Sequence, residues 1–145
     1  MERIRATFDR LRRAGRKALI PFVMGGDPSL ALTGALLLAL EDAGADLIEV
    51  GIPFSDPLAD GPVIQAASAR ALARGATPPR VLAAVASVRR RLHAPVVYLS
   101  YWNPILQFGG GGPRAVDRFV RAAHASGCSG LIVPALPVEE SARLR

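Results

Sequence analysis

Four short, largely apolar runs, at residues 18–24, 46–50, 95–100 and 130–133, recur along the chain, each followed by a longer segment of helical period. Within each run the apolar residues are nearly continuous rather than alternating. A strand written that way must be covered on both faces, which is the signature of a parallel sheet lined with helices, and so of an α/β chain. The full order begins with a polar helix at 2–14. The first strand runs into Gly25-Gly26-Asp27-Pro28, where Asp27 or Ser29 can cap a helix at 29–43 that Gly44 closes. The second strand gives way to a proline-punctuated loop at 52–61 and a helix at 62–74, stopped by Gly75. Thr77-Pro78-Pro79 opens another helix, capped by the threonine and reaching Leu92. After the third strand come a loop with Asn103-Pro104 and the run Gly109–Gly112, a helix at 114–126, the fourth strand, and a last helix entered through Pro137-Val138-Glu139-Glu140.

Two architectures accommodate four βα units: a doubly wound open sheet, or part of a (β/α)8 barrel. The first predicts G-x-G-x-x-G opening the helix after strand one, and Gly-Gly-Asp-Pro-Ser does not supply it. The expectation is therefore the first four βα units of a (β/α)8 barrel, preceded by an N-terminal helix. A complete barrel takes about 250 residues, whereas this chain has 145. Residues 1–145 are thus expected to form a single, incomplete barrel domain with two unpaired strand edges. Its missing strands come either from another chain or from a longer protein of which this is a fragment.

Half of the residues are hydrophobic, enough for a buried core. The longest apolar stretch, at 30–40, is broken by Thr33 and Gly34 and falls short of the ~20 residues of a membrane span. The charged N-terminus lacks a secretory pattern, and a cytoplasmic location is expected, without membrane association. Cys128, the single cysteine, reads as a small packed residue rather than a nucleophile. The net charge of +6 does not point to nucleic acid, because the cations are spread over the predicted helices and only Arg89-Arg90-Arg91 makes a run. Residues 18–69 hold seven acidic residues and no basic one.

One of those acids, Glu49, lies inside strand two, on the same face as Leu47 and Gly51. Neither face of a parallel strand is wet by default, and an unpaired buried carboxylate costs several kcal/mol. Two readings stay open. An arginine from outside the acidic segment could neutralise it, or it could sit at the strand's C-terminal end, where barrel active sites are built and desolvation lets a carboxyl carry a proton at neutral pH. Asp60, before Gly61 and Pro62, could be a helix cap, and Asp56 a turn residue. Yet all three acids crowd one strand end and its loop. Two carboxyls in unlike surroundings allow one to exchange protons while the other stays charged.

The run Leu47-Ile48-Glu49-Val50-Gly51-Ile52-Pro53-Phe54-Ser55-Asp56-Pro57-Leu58-Ala59-Asp60-Gly61-Pro62-Val63-Ile64-Gln65 resembles the signature of the tryptophan synthase α subunit family over nineteen residues. Agreement extends to Pro21-Phe22, Gly26-Asp27-Pro28, Gly44-Ala45-Asp46, Tyr101, Asn103-Pro104-Ile105-Leu106, and Pro137 with Glu139-Glu140. The resemblance implies a (β/α)8 lyase that cleaves indole-3-glycerol phosphate to indole and glyceraldehyde 3-phosphate by a retro-aldol reaction. Its partner would be a β subunit, in an α2β2 tetramer, whose pyridoxal phosphate serves to join indole to serine; no cofactor is expected in this chain. By the same resemblance Glu49 is the catalytic acid/base, and Asp60 the carboxylate that stays ionised beside the indole nitrogen. Phe22, Leu99, Tyr101 and Ile132 line the indole pocket, and Pro53, Asp56 and Asn103 meet the partner. Ala135 stands where the family commonly has an aspartate. The phosphate-binding loops after strands seven and eight are not encoded before Arg145, so a second reading is a non-catalytic remnant that keeps the partner surface. A third, another phosphate-binding barrel acting on a sugar or a flavin, is disfavoured by the length of the 47–65 match.

Overall fold

The four strands pair in parallel and in chain order, with no reversal of order of the kind that marks a doubly wound sheet. The computed structural model describes residues 2–134 and 136–144, so Ala135 lies outside the described residues. Its elements are α1 (Glu2–Arg13), β1 (Phe22–Met24), α2 (Leu30–Asp42), β2 (Ile48–Gly51), α3 (Pro62–Ala73), α4 (Pro78–Val88), β3 (Val96–Leu99), α5 (Trp102–Leu106), α6 (Ala115–Ala125), β4 (Cys128–Ile132) and a closing 3-10 helix, Val138–Leu144. These are the first four βα units of a (β/α)8 barrel, preceded by a helix.

Strands β1, β2 and β3 are shorter than the apolar runs suggest, whereas β4 begins two residues before its run, at Cys128. Pro21 has no N–H to give, so β1 starts at Phe22, although the carbonyls of Leu19 and Pro21 still accept from the amides of Asp46 and Glu49, each at 2.9 Å. Helix starts also differ in detail. Ser29, not Asp27, caps α2, its hydroxyl accepting from the Leu32 amide at 3.2 Å. Thr77 occupies the cap position of α4 but its hydroxyl makes no capping bond, and that helix ends at Val88 rather than Leu92. The short α5 falls where only a loop was expected. Pro104 sits in its first turn, where an amide has no intrahelical acceptor to lose.

Register places Phe22, Glu49, Val97 and Gly130 side by side, and two residues further on Met24, Gly51, Leu99 and Ile132. Between these rows Val50 and Tyr98 face the other way, onto the helices. There Ile48, Val50, Val96 and Tyr98 are fully buried with Leu37, Val81, Val85 and Phe119, and this layer is the core. Tyr98 donates to the Ser126 hydroxyl (2.8 Å), which in turn donates to the Ala123 carbonyl (2.7 Å). Helices α2 and α4 approach closely because Gly34 has no side chain; a Cβ there would stand 2.7 Å from Val88 Cγ1.

Just before β2, Asp46 ties the first elements together. Its carboxylate, buried at 6% exposure, accepts from the Leu19 amide at 3.1 Å and pairs with Arg10 (3.3 Å) and Arg16 (3.8 Å). Helix α1 is thereby fixed beneath the sheet, where Ile4 and Phe8 line the inner face.

Candidate active site

Glu49 reaches the inner face because side chains alternate along β2, and Ile48 and Val50 are claimed by the core behind. It is half-buried and lines a cavity of about 810 Å³ together with Ile20, Leu47, Val97 and Ile132, over a floor made by Ile4 and Phe8. Apart from its own carboxyl this wall is almost wholly apolar. Among the described residues no cation lies within 4.0 Å of the carboxylate and no hydrogen bond holds it. Among the described residues no arginine neutralises it: Arg10 and Arg16 go to Asp46, and Arg70 goes to Asp27. Gly51 keeps the space beside it open for its neighbours, since a Cβ there would meet Phe22 Cζ at 2.7 Å and Met24 Sδ at 3.0 Å.

Asp60 is carried by the loop between β2 and α3. It is not the cap of α3; that position belongs to Gly61, with no side-chain capping bond. Three side chains fasten the loop. The buried Ser68 hydroxyl accepts from the Phe54 amide (2.9 Å) and donates to the Phe54 carbonyl (2.8 Å). The Tyr101 phenol oxygen accepts from the Ala59 amide at 2.9 Å, and its ring packs on Phe54 with centroids 5.4 Å apart. Gln65 Nε2 donates to the Asp60 carbonyl at 2.9 Å and to the Pro57 carbonyl at 3.4 Å. Burial first, and the nearby Asp60 charge after it, push the Tyr101 phenol up, while the Ala59 amide pulls the other way. Asp60 itself is half-buried and does not line the Glu49 cavity.

The other expected site residues divide between two places. Ile132 lines the Glu49 cavity, Phe22 stands in register with Glu49, and Leu99 stands in register with Gly51 and Ile132. Tyr101 lies beyond the end of β3 and works on the Asp60 loop instead of lining that cavity. Pro53 and Asn103 line a separate groove of about 320 Å³ walled by Pro78, Pro79, Pro104 and Phe108. Asp56 is exposed outside that groove, accepting from the Ser55 hydroxyl.

On the same helix as Ser68, Arg70 grips both oxygens of Asp27 (3.0 and 2.7 Å), joining the β1–α2 loop to α3. That hydrogen bond holds the Asp27 carboxyl below its usual range. Cys128 donates to the Gly130 carbonyl, and burial pushes its thiol up, away from nucleophile chemistry. Among the described residues no group of three or more His, Cys, Asp and Glu could hold a metal ion, and no helix is long and apolar enough to cross a membrane. Ser68 and Arg70 carry no signal in the sequence, because nothing local says which loop a helical serine or arginine will meet. Gln65 closes the nineteen-residue match, but only the fold gives it a task.

The family model described as tryptophan synthase alpha chain matches residues 8–145. Curated relatives include the tryptophan synthase alpha chain of Carboxydothermus hydrogenoformans, 54% identical over 145 residues, covering 100% of this chain and 52% of the relative. That of Synechococcus sp. (strain CC9902) is 53% identical over 137 residues, covering 94% and 49%. Among solved structures, tryptophan synthase subunit alpha from Legionella pneumophila superposes with a TM-score of 0.89 at 41% identity, covering 97% of this chain and 52% of that one. The aminoacrylate-bound form of tryptophan synthase from M. tuberculosis gives 0.88 at 38%, covering 98% and 55%. The chain spans about half the length of the curated relatives it matches.

Proposed function

Because this chain belongs to the tryptophan synthase alpha chain family, we propose that it supplies the two-carboxyl half of a lyase site that cleaves indole-3-glycerol phosphate to indole and glyceraldehyde 3-phosphate. The observation that carries the reading is Glu49: a carboxyl without a partner among the described residues, on the apolar wall of a cavity, inside the nineteen-residue signature. Protonating an indole ring carbon interrupts its aromaticity, so the acid must be desolvated and rigidly held, and a central strand holds it. The same carboxyl, once it has given up its proton, takes one from the glycerol hydroxyl as the carbon–carbon bond breaks. Asp60 on its fastened loop lies beside the indole nitrogen, where its carboxylate stabilises the positive charge that develops. Phe22, Leu99 and Ile132 give the ring an apolar bed, and Tyr101 borders it from the loop side.

On this reading residues 1–145 are one partial barrel domain working in the cytoplasm. Pro53, Asn103 and the exposed Asp56 form the edge that meets a β subunit, to which indole passes and which holds the pyridoxal phosphate. The experiment is indole release from indole-3-glycerol phosphate by a chain extended to the length of its relatives. Glu49→Gln abolishes release while far-UV circular dichroism stays unchanged; near-normal turnover in that variant removes Glu49 from its role.

A further inference from the structure

We infer that Ser68 is a positioning residue for Asp60. Its hydroxyl, at 1% exposure, takes both the N–H and the C=O of a single loop residue, Phe54, as a neighbouring strand would. Phe54 is the second residue of the loop past Ile52, whose amide still belongs to the sheet through the Leu99 carbonyl at 2.8 Å. From Phe54 the constraint passes to Asp60 through physical contact: the Phe54 ring packs on Tyr101, Tyr101 holds the Ala59 amide, and the Asp60 amide closes the turn on the Pro57 carbonyl at 3.1 Å. Gln65, the other fastening from α3, is exposed and competes with water. The Ser68 end of both bonds is buried, so their loss frees the loop's first turn and, through the Phe54–Tyr101 packing, the segment that carries Asp60.

The inference rests on reading Asp60 as the second carboxyl of the site. The experiment is amide hydrogen exchange by NMR on a chain extended to the length of its relatives, with the carbon-13 signal of the Asp60 carboxyl followed alongside. Ser68→Ala, which changes volume little, is expected to speed exchange at Phe54 and Ala59 by about tenfold or more, from the two bonds lost. It also shifts the Asp60 carboxyl signal and leaves Ile48 and Val50 in β2 unchanged; Ser68→Thr, which keeps the hydroxyl, restores both loop signals. A merely structural role would slow or speed all of these together. Exchange that speeds at Phe54 alone, with Ala59 and the Asp60 carboxyl signal unmoved, overturns the inference, as does exchange that rises equally in β2. Should Ser68→Ala fail to fold, Ser68→Cys, a weaker donor and acceptor, is read by the same criteria. No substrate enters this measurement, so its outcome and that of the indole-release assay stand apart.

Discussion

A carboxyl kept for chemistry should cost the fold something, and Glu49→Gln measures that cost. Glutamine has the same shape and cannot ionise. Since no bond or ion pair holds Glu49 among the described residues, the substitution removes no favourable contact while relieving the desolvation of an acid on an apolar wall. Full burial of an unpaired carboxylate costs several kcal/mol, but Glu49 is only half-buried and water reaches part of it, so the gain expected is about 0.5–1 kcal/mol. For a domain of this size about 1 kcal/mol moves the midpoint by roughly 4 °C, which puts Glu49→Gln about 2–4 °C above the parent chain in thermal unfolding followed by circular dichroism at pH 7. Glu41→Gln is the control with the opposite sign. The Glu41 carboxylate accepts from the amides of His93 and Ala94, and weakening those charge-assisted bonds should lower stability by about 1 kcal/mol. A loss of stability in Glu49→Gln equal to that in Glu41→Gln would falsify the view that Glu49 is structurally idle.

The Asp27–Arg70 pair adds an acid dependence. The folded carboxyl titrates below its usual 3.8, so the pair's contribution is complete above about pH 4 and is lost as pH falls through the lowered folded value. With Arg70 half-exposed that contribution is small and screened by solvent, and Arg70→Met should remove it at pH 7 and flatten urea-unfolding midpoints between pH 4 and pH 2. Gly34→Ala gains about 1 kcal/mol of helix propensity but overpacks α2 against α4 by more, so a net loss of about 1 kcal/mol is expected, relieved when Val88→Ala is added; additive losses in the double variant would place the clash elsewhere. Cys128 should react with a disulfide reagent at pH 8 at least about tenfold more slowly in the folded chain than in urea, because burial disfavours its thiolate; equal rates would show an open thiol. As an isolated 145-residue species the chain should associate, since its inner sheet face presents Ile20 and Ile132 beside an open apolar cavity, and a monodisperse monomer in sedimentation would contradict this.

Apart from the short α5, the order of elements, the parallel sheet and the face on which Glu49 sits were legible in the chain's linear pattern. Hydrophobic periodicity and strand alternation are local properties, and four apolar runs separated by helical stretches leave few ways to be covered. Glycine stops were legible for the same reason: Gly44 and Gly75 do end α2 and α3 in left-handed turns, at φ of +100° and +76°. Cap chemistry was less so. Thr77 holds the right position without making the bond, and Asp60, which reads equally well as a cap, leaves that place to Gly61.

What the linear pattern left open was which charge meets which. Seven acids in a segment without cations must either find arginines from outside it or go without, and only tertiary packing decides. Asp46 takes two from α1 and its exit, Asp27 takes Arg70 across 43 residues, and Glu49 takes none among the described residues. Ser68 belongs to the same class of facts, as a serine in an alanine-rich helix that becomes a latch only because Phe54 is folded onto it. Such pairings depend on where distant segments arrive in space, a matter of packing geometry that no window of neighbouring residues contains.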